Sequence, residues 1–193
     1  GIQNTIIGSL AGDALTTGSA NVALGYNALS TEDAHGKNVA IGDFSLHTLN
    51  AGADGYNTAV GHNTGASMTT GIQNTIMGGL AGDALTTGSY NVALGRGALS
   101  TEDAGSRNVA IGYEALATQN AGISVYNTAI GFQAADHITS GVQNTIIGGL
   151  AGNAINTGDN NIVIGYNAAA SAVGVDNETV IGTTATTNAK VHG

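Results

Sequence analysis

The chain has 193 residues, 31 of them Gly, with no Pro, Cys or Trp, 9% charged residues and a formal net charge of −9. Zero Cys excludes disulfide scaffolds, thiolate metal sites and a cysteine nucleophile, and four Lys+Arg against thirteen Asp+Glu leave no basic footprint for nucleic acid or an anionic membrane. At 42% hydrophobic the composition is too apolar for disorder, yet no apolar run nears the ~20 residues that cross a bilayer. The chain lacks a secretory-type opening and starts at Gly1, so it reads as a fragment or a processed product.

Taken in chain order, one five-residue unit, Asn-x-apolar-aliphatic-Gly, recurs throughout. It runs Asn4–Gly8, Asn21–Gly25, Asn38–Gly42, Asn57–Gly61, Asn74–Gly78, Asn91–Gly95, Asn108–Gly112, Asn127–Gly131, Asn144–Gly148 and Asn161–Gly165. An eleventh copy closes at Gly182, with Glu178 in the Asn slot. The closing glycines are 17 residues apart except at two steps of 19, Gly42 to Gly61 and Gly112 to Gly131. Four units make a 70-residue block, with blocks starting at 1, 71 and 141, and the first two blocks share 45 identical positions. The repeat array covers residues 1–182, and 183–193 read as a junction to a further domain downstream.

A period this short excludes helical solenoids and fits one coil of an all-β solenoid. Each unit predicts a short strand, starting with Thr5-Ile6-Ile7, Val22-Ala23-Leu24 and Val39-Ala40-Ile41. The closing Gly supplies a positive-φ turn, and the Gly that begins several coils (Gly18, Gly88, Gly158) offers a second bend. A weaker second strand is predicted after Ala11, Ala28, Ala81, Ala98 and Ala151. Eleven coils at ~4.8 Å give a rod roughly 50 Å long. The Asn column (Asn4, Asn21, Asn38, Asn57, Asn74, Asn91, Asn108, Asn127, Asn144, Asn161) reads as a structural ladder with amides bonded coil to coil.

Strand parity points to association. The second and fourth unit positions share one face, as Val22 and Leu24 do, while the third faces the other way; both faces are largely apolar. A strand apolar on both faces should be covered on both, and a narrow roll has one interior. Symmetric copies of the chain are the economical cover for the other face. Ala suits the interior and the larger Val, Ile and Leu face suits the subunit axis.

The wording NVALGYNAL (Asn21–Leu29), NTAVG (Asn57–Gly61), NTAIG (Asn127–Gly131) and NIVIGYNA (Asn161–Ala168) resembles the YadA-like head repeat. The resemblance implies a left-handed parallel β-roll of about eleven coils, assembled as a homotrimer. Its 17- and 19-residue coils, and the run NETVIGTTATTNAKVHG from Asn177 to Gly193, look most like the phage tail fibre versions. The implied function is a structural and adhesive fibre segment, on a virion or a cell surface, that contacts a host glycan or protein receptor. A bacterial trimeric autotransporter adhesin head is the alternative.

No catalytic, cofactor or metal site is predicted. His35, His47, His62, His137 and His192 occupy variable loop positions without repeating partners, and Glu32-Asp33 and Glu102-Asp103 read as solvated turns. No activated Ser or phosphate-binding loop is present. An ice-binding solenoid needs an unbroken Thr column, and a polysaccharide-cleaving spike needs a unique carboxylate pair; neither pattern occurs. The candidate recognition surface is the variable position just after the closing Gly, with Tyr26, Tyr113, Phe132 and Tyr166. Tyr rings on a rigid rod suit carbohydrate stacking or protein contact; packing in crevices between subunits is the alternative.

Overall fold

The computed structural model describes residues 1–122 and 124–186. Its strands are β1 (Thr5–Ile7), β2 (Val22–Leu24), β3 (Val39–Ile41), β4 (Thr58–Val60), β5 (Thr75–Met77), β6 (Val92–Leu94), β7 (Val109–Ile111), β8 (Thr128–Ile130), β9 (Thr145–Ile147), β10 (Ile162–Ile164) and β11 (Thr179–Ile181). Each pairs in parallel with the next, so that one eleven-stranded sheet runs down one side of a β-solenoid. Among the described residues there is no helix. Register follows the repeat: Thr5 lies opposite Val22 across a 17-residue step, and Val39 opposite Thr58 across a 19-residue step. Coils are numbered below by their strand.

The second strand expected after Ala11, Ala28, Ala81, Ala98 and Ala151 does not form; those stretches are turns. Residues two and four past the closing Gly are left-handed, as with Phe44 (φ 57°) and Leu46 (φ 49°), or Leu10 (φ 58°) and Gly12 (φ 53°). An extended strand cannot pass through such a pair. Coil-to-coil bonding continues regardless: the Gly12 N–H donates to Ala28 O at 2.9 Å and the Leu29 N–H to Ser45 O at 3.0 Å. Stacked turns thus do the work that a second sheet was expected to do.

The closing glycines have the positive φ that was expected, 128° at Gly42 and 135° at Gly112. A β-carbon there would also lie 2.3 and 2.2 Å from the carbonyl oxygen of the next closing Gly. The coil-starting glycines are different. Gly18 and Gly88 are not left-handed; a β-carbon would instead lie 2.2 Å from His35 O and 2.4 Å from Gly105 O. Close backbone approach, and no second bend, requires Gly at these positions.

The Asn ladder is continuous, but its rungs differ from those expected. The Asn21 N–H donates to Asn4 Oδ1 at 2.8 Å, and the same bond repeats through every coil to the Glu178 N–H on Asn161 Oδ1 at 2.8 Å. Most amide nitrogens donate to a carbonyl fourteen residues on, as Asn4 does to Gly18 O at 2.8 Å and Asn144 to Gly158 O at 2.9 Å. Amide-to-amide bonds join only Asn57 to Asn38, Asn74 to Asn57 and Asn161 to Asn144. The left-handed residue is the one before each Asn, such as Tyr56 at φ 49° and Tyr90 at φ 63°.

Strand parity resolves as expected on its inner side. The middle residue of each strand lines the interior, with Ala23, Ala40, Ile76, Ala110 and Val163 fully buried. The flanking residues face outward. Size is balanced across the interior: Ile6, Ile76 and Ile146 face Gly12, Gly82 and Gly152, whereas Ala23, Ala40, Ala93 and Ala110 share their coils with Leu29, Leu46, Leu99 and Leu116. A β-carbon on Gly152 would meet Ile146 Cγ2 at 2.8 Å, and one on Gly12 would meet Ile6 Cδ1 at 3.1 Å. One large side chain fills each of these coils at this level, and its burial contributes about 1.5–3 kcal/mol; in coil 4, where Ala59 meets Gly65, Leu46, Met68 and Ile76 approach from beside it. At the C-terminal end the Thr186 N–H closes a turn on Thr183 O at 2.8 Å; the rest of the expected junction, with His192, lies outside the described residues.

Candidate recognition surface

Two columns of side chains border the outward strand face, one before each Asn and one after each closing Gly. Both follow from the backbone. The left-handed residue before the Asn and the turn that opens after the Gly swing their side chains out of the coil, so their identity is free of core packing.

The column after the closing Gly carries the four predicted residues. Tyr113 and Phe132, in coils 7 and 8, stack with ring centroids 5.3 Å apart and planes 10° apart. Arg96 of coil 6 covers the far side of Tyr113, its guanidinium carbon 5.6 Å from the ring centroid, and Nη1 donates to the phenol oxygen at 3.2 Å. Tyr166 stands two coils beyond Phe132, with Gly149 between them. Tyr26 lies at the other end of the rod, apart from these three. Its ring meets the edge of Phe44 at 5.3 Å, and Phe44 meets His47 in the same perpendicular way. The prediction thus brings three residues into one stretch and leaves Tyr26 in a separate patch.

Charge in the stretch is balanced. Arg96 Nη1 lies 3.5 Å from Glu114 Oε1, and Gln133 Nε2 donates to Glu114 Oε2 at 2.9 Å. Gln133 and Tyr113 hold the Glu114 carboxyl below its usual range, while the Glu114 carboxylate raises the Tyr113 phenol. The column before the Asn is organised similarly. Arg107 lies 5.2 and 5.5 Å from the ring centroids of Tyr90 and Tyr126, and Lys37 lies 4.9 Å from that of Tyr56. Lys37 also pairs with Asp54 at 2.6 Å, which raises the lysine and lowers the carboxyl. Every Lys and Arg side chain among the described residues rests on a Tyr face.

Two acidic residues lie elsewhere than expected. Glu32 and Glu102 are fully buried, in a column shared with Leu49, Met68, Leu85, Gln119, Ile138 and Ile155. Glu102 Oε1 accepts the Gly105 N–H at 2.7 Å, and Oε2 accepts Gln119 Nε2 at 2.8 Å and the Ala121 N–H at 3.4 Å. Glu32 accepts the His35 N–H at 3.2 Å and the Ala51 N–H at 3.3 Å, with His35 Nδ1 3.4 Å away. Ala51 and Ala121 lie in the two widened coils, where the extra residues leave donors without a coil-to-coil partner. Each Glu therefore anchors an insertion, and the solvated-turn reading holds only for the exposed Asp33 and Asp103, which accept from the Thr16 and Thr86 hydroxyls. The missed signal was an acid at a 17-residue spacing from Leu15, Leu49 and Leu85.

Of the histidines, His62 and His137 are exposed as expected, but His35 and His47 are half-buried. His35 sits against Glu32, and His47 Nδ1 lies 2.7 Å from Ser30 Oγ. No family model, curated protein or solved structure matches the chain.

Proposed function

We propose that the chain is a segment of a homotrimeric fibre that holds recognition contacts away from a particle or cell, in the manner of the phage tail fibre forms of the YadA-like head repeat. One observation carries this reading: the outward sheet face remains apolar with nothing over it. Ile7 is 60% exposed, Met77 43% and Ile181 51%, with Leu24, Ile130 and Ile147 between them on the same column. A continuous apolar face of this length is a protein interaction surface, and three identical copies cover it symmetrically. Both the virion and the cell-surface settings accommodate such a rod, and its receptor is a host glycan or protein.

The companion outward column alternates Thr5, Thr58, Thr75, Thr128 and Thr145 with Val22, Val39, Val92 and Val109. It lies on the outer face of the single chain, opposite the Ala-lined interior. Its Val interruptions still disfavour ice binding. Sedimentation or native mass measurement tests the proposal. A trimer at micromolar concentration that Ile111→Lys with Ile130→Lys dissociates supports it, and a well-folded monomer overturns it.

A further inference from the structure

We infer that the two outward columns are the two halves of one contact between copies of the chain. The copies stand parallel and level, and the column before the Asn of one meets the column after the Gly of the next. The inference rests on the homotrimer proposed above and gives it a polarity, a register and named contacts.

Within one chain the two columns do not meet. The strand and its flanking Asn and Gly stand between them, and three extended residues alone span about 10 Å. Among the described residues, each ion pair, cation–ring and ring–ring contact of the columns stays on its own side of the strand. The columns are nonetheless matched coil by coil. Coil 6 has Tyr90 before its Asn and Arg96 after its Gly, and coil 7 reverses the order, with Arg107 before and Tyr113 and Glu114 after. Coil 3 sets Lys37 on one side and Asp43 on the other, and coil 2 sets the small Ala20 against Tyr26. In coils 5 and 9, where Gly79 and Gly149 offer no side chain, the other column carries the long Gln73 and Gln143.

A three-fold ring uses these matches. It joins unlike edges, so one column of every copy meets the other column of its neighbour, and a closed ring admits no axial shift. Arg107 has no carboxylate partner among the described residues. In the ring it meets Tyr113 of the partner subunit and Glu114 of the partner subunit, while Tyr90 meets Arg96 of the partner subunit. Two cations and two Tyr rings then alternate both along the rod and across the seam. A shift of one coil would set Arg107 against Arg96 of the partner subunit or against Phe132 of the partner subunit. Antiparallel copies would set each column against itself in reverse, leaving Asp43 and Glu114 away from Lys37 and Arg107. Charge thus selects the parallel, level arrangement. The exposed apolar sheet face lies between the columns and is covered by the same contact, together with the exposed Tyr56, Tyr90 and Tyr126.

The chain has no Cys, so introduced thiols report contacts directly. Gln73→Cys with Gly79→Cys puts one thiol in each column of coil 5. Gly79 is not left-handed, and an added β-carbon there would meet only His62 O at 3.8 Å. Within one chain this pair exceeds the reach of a disulfide, whose Cα atoms lie about 4–7 Å apart. The full chain carrying the pair is oxidised, or bridged with a short bis-maleimide, and run on a denaturing gel, with sedimentation of each variant alongside. The expected product is a covalent trimer. Each single variant, and the mismatched pair Gln73→Cys with Gly149→Cys, should run as a monomer on the gel. A well-folded monomer in sedimentation overturns both the inference and the trimer beneath it. A sedimenting trimer that neither this pair nor Gln143→Cys with Gly149→Cys links overturns the inference and leaves the trimer standing. Covalent dimers from a single variant overturn it as well, since like columns then meet, and so does linking of the mismatched pair, since the register is then shifted.

Discussion

The first block, residues 1–70, and the second, 71–140, share 45 identical positions, yet they complete the same corner with different side chains. In the first, the buried Glu32 faces His35, and Leu49 fills the next coil. In the second, Gly105 replaces His35 and Gln119 replaces Leu49, so the donor to Glu102 arrives from the following coil. The Gln119 amide also accepts Asn127 Nδ2 at 2.7 Å. A buried carboxylate needs its lone pairs occupied; both blocks supply the N–H groups three and nineteen residues on, and the second adds a side-chain donor, Gln119. The aromatic patches diverge as well, perpendicular at Tyr26–Phe44 and stacked at Tyr113–Phe132. The backbone frame sets which groups must be satisfied and leaves open which residues satisfy them.

Replacing the carboxylates is the strongest way to break this comparison. Glu102→Leu orphans the Gly105 and Ala121 N–H groups and the Gln119 amide, and should lower the unfolding free energy by about 3 kcal/mol. Glu32→Leu orphans two longer-bonded donors, for a loss of about 2 kcal/mol. Urea titration of both variants reads the difference, and a larger loss at Glu32 contradicts the assignment of donors. Gln119→Leu alone should cost about 1–3 kcal/mol. Adding Gly105→His sets a β-carbon 2.4 Å from Glu102 Cδ, so it should deepen that loss. A recovery in the double variant would contradict this and show that the two solutions are interchangeable.

Smaller effects sharpen the aromatic half. Double-mutant cycles on Tyr113–Phe132 and on Tyr26–Phe44 should each give a coupling of about 0.5–1.5 kcal/mol. Arg96→Ala should remove about a further 0.5–1 kcal/mol in the second block only. The smallest effect concerns Asp83, whose carboxyl is raised by burial and whose Oδ1 has no partner. A raised carboxyl binds its proton more tightly in the folded chain, so stability falls as pH climbs from the ordinary value of 3.8 through the folded one. Asp83→Asn, which installs the residue found at Asn153, should raise stability by about 0.5 kcal/mol or less near neutrality. That gain should vanish below about pH 3, as Tm measured against pH will show.

The strands, their register and the Asn column were legible because each recurs at a fixed spacing from the closing Gly. The inner strand face was legible as well, since Ala at the middle position suits a narrow interior. What escaped was whatever depends on two positions at once. Ile76 with Gly82 is a matched pair six residues apart, visible only when both columns are read together. Glu102 looked solvated beside Asp103 because adjacent residues in a turn point to opposite sides of the coil wall. The missing second strand has a different cause, since left-handed Leu and Phe residues such as Leu46 and Phe44 lack the sequence signature that Gly gives. In the candidate surface, the column was readable but the pairing of rings across 17 to 19 residues was not.

The return of an Ile–Gly coil at every fourth coil also bears on how such a rod changes length. Removing residues 71–140 would join Thr70 to Gly141 and place Ile146 where Ile76 stood, with every interior fit preserved. Removing one 17-residue coil would keep each in-coil pair but bring new neighbours together at the junction. A step of four coils, about 19 Å, is thus the change of length that leaves every neighbour in place, as unequal recombination between blocks would make.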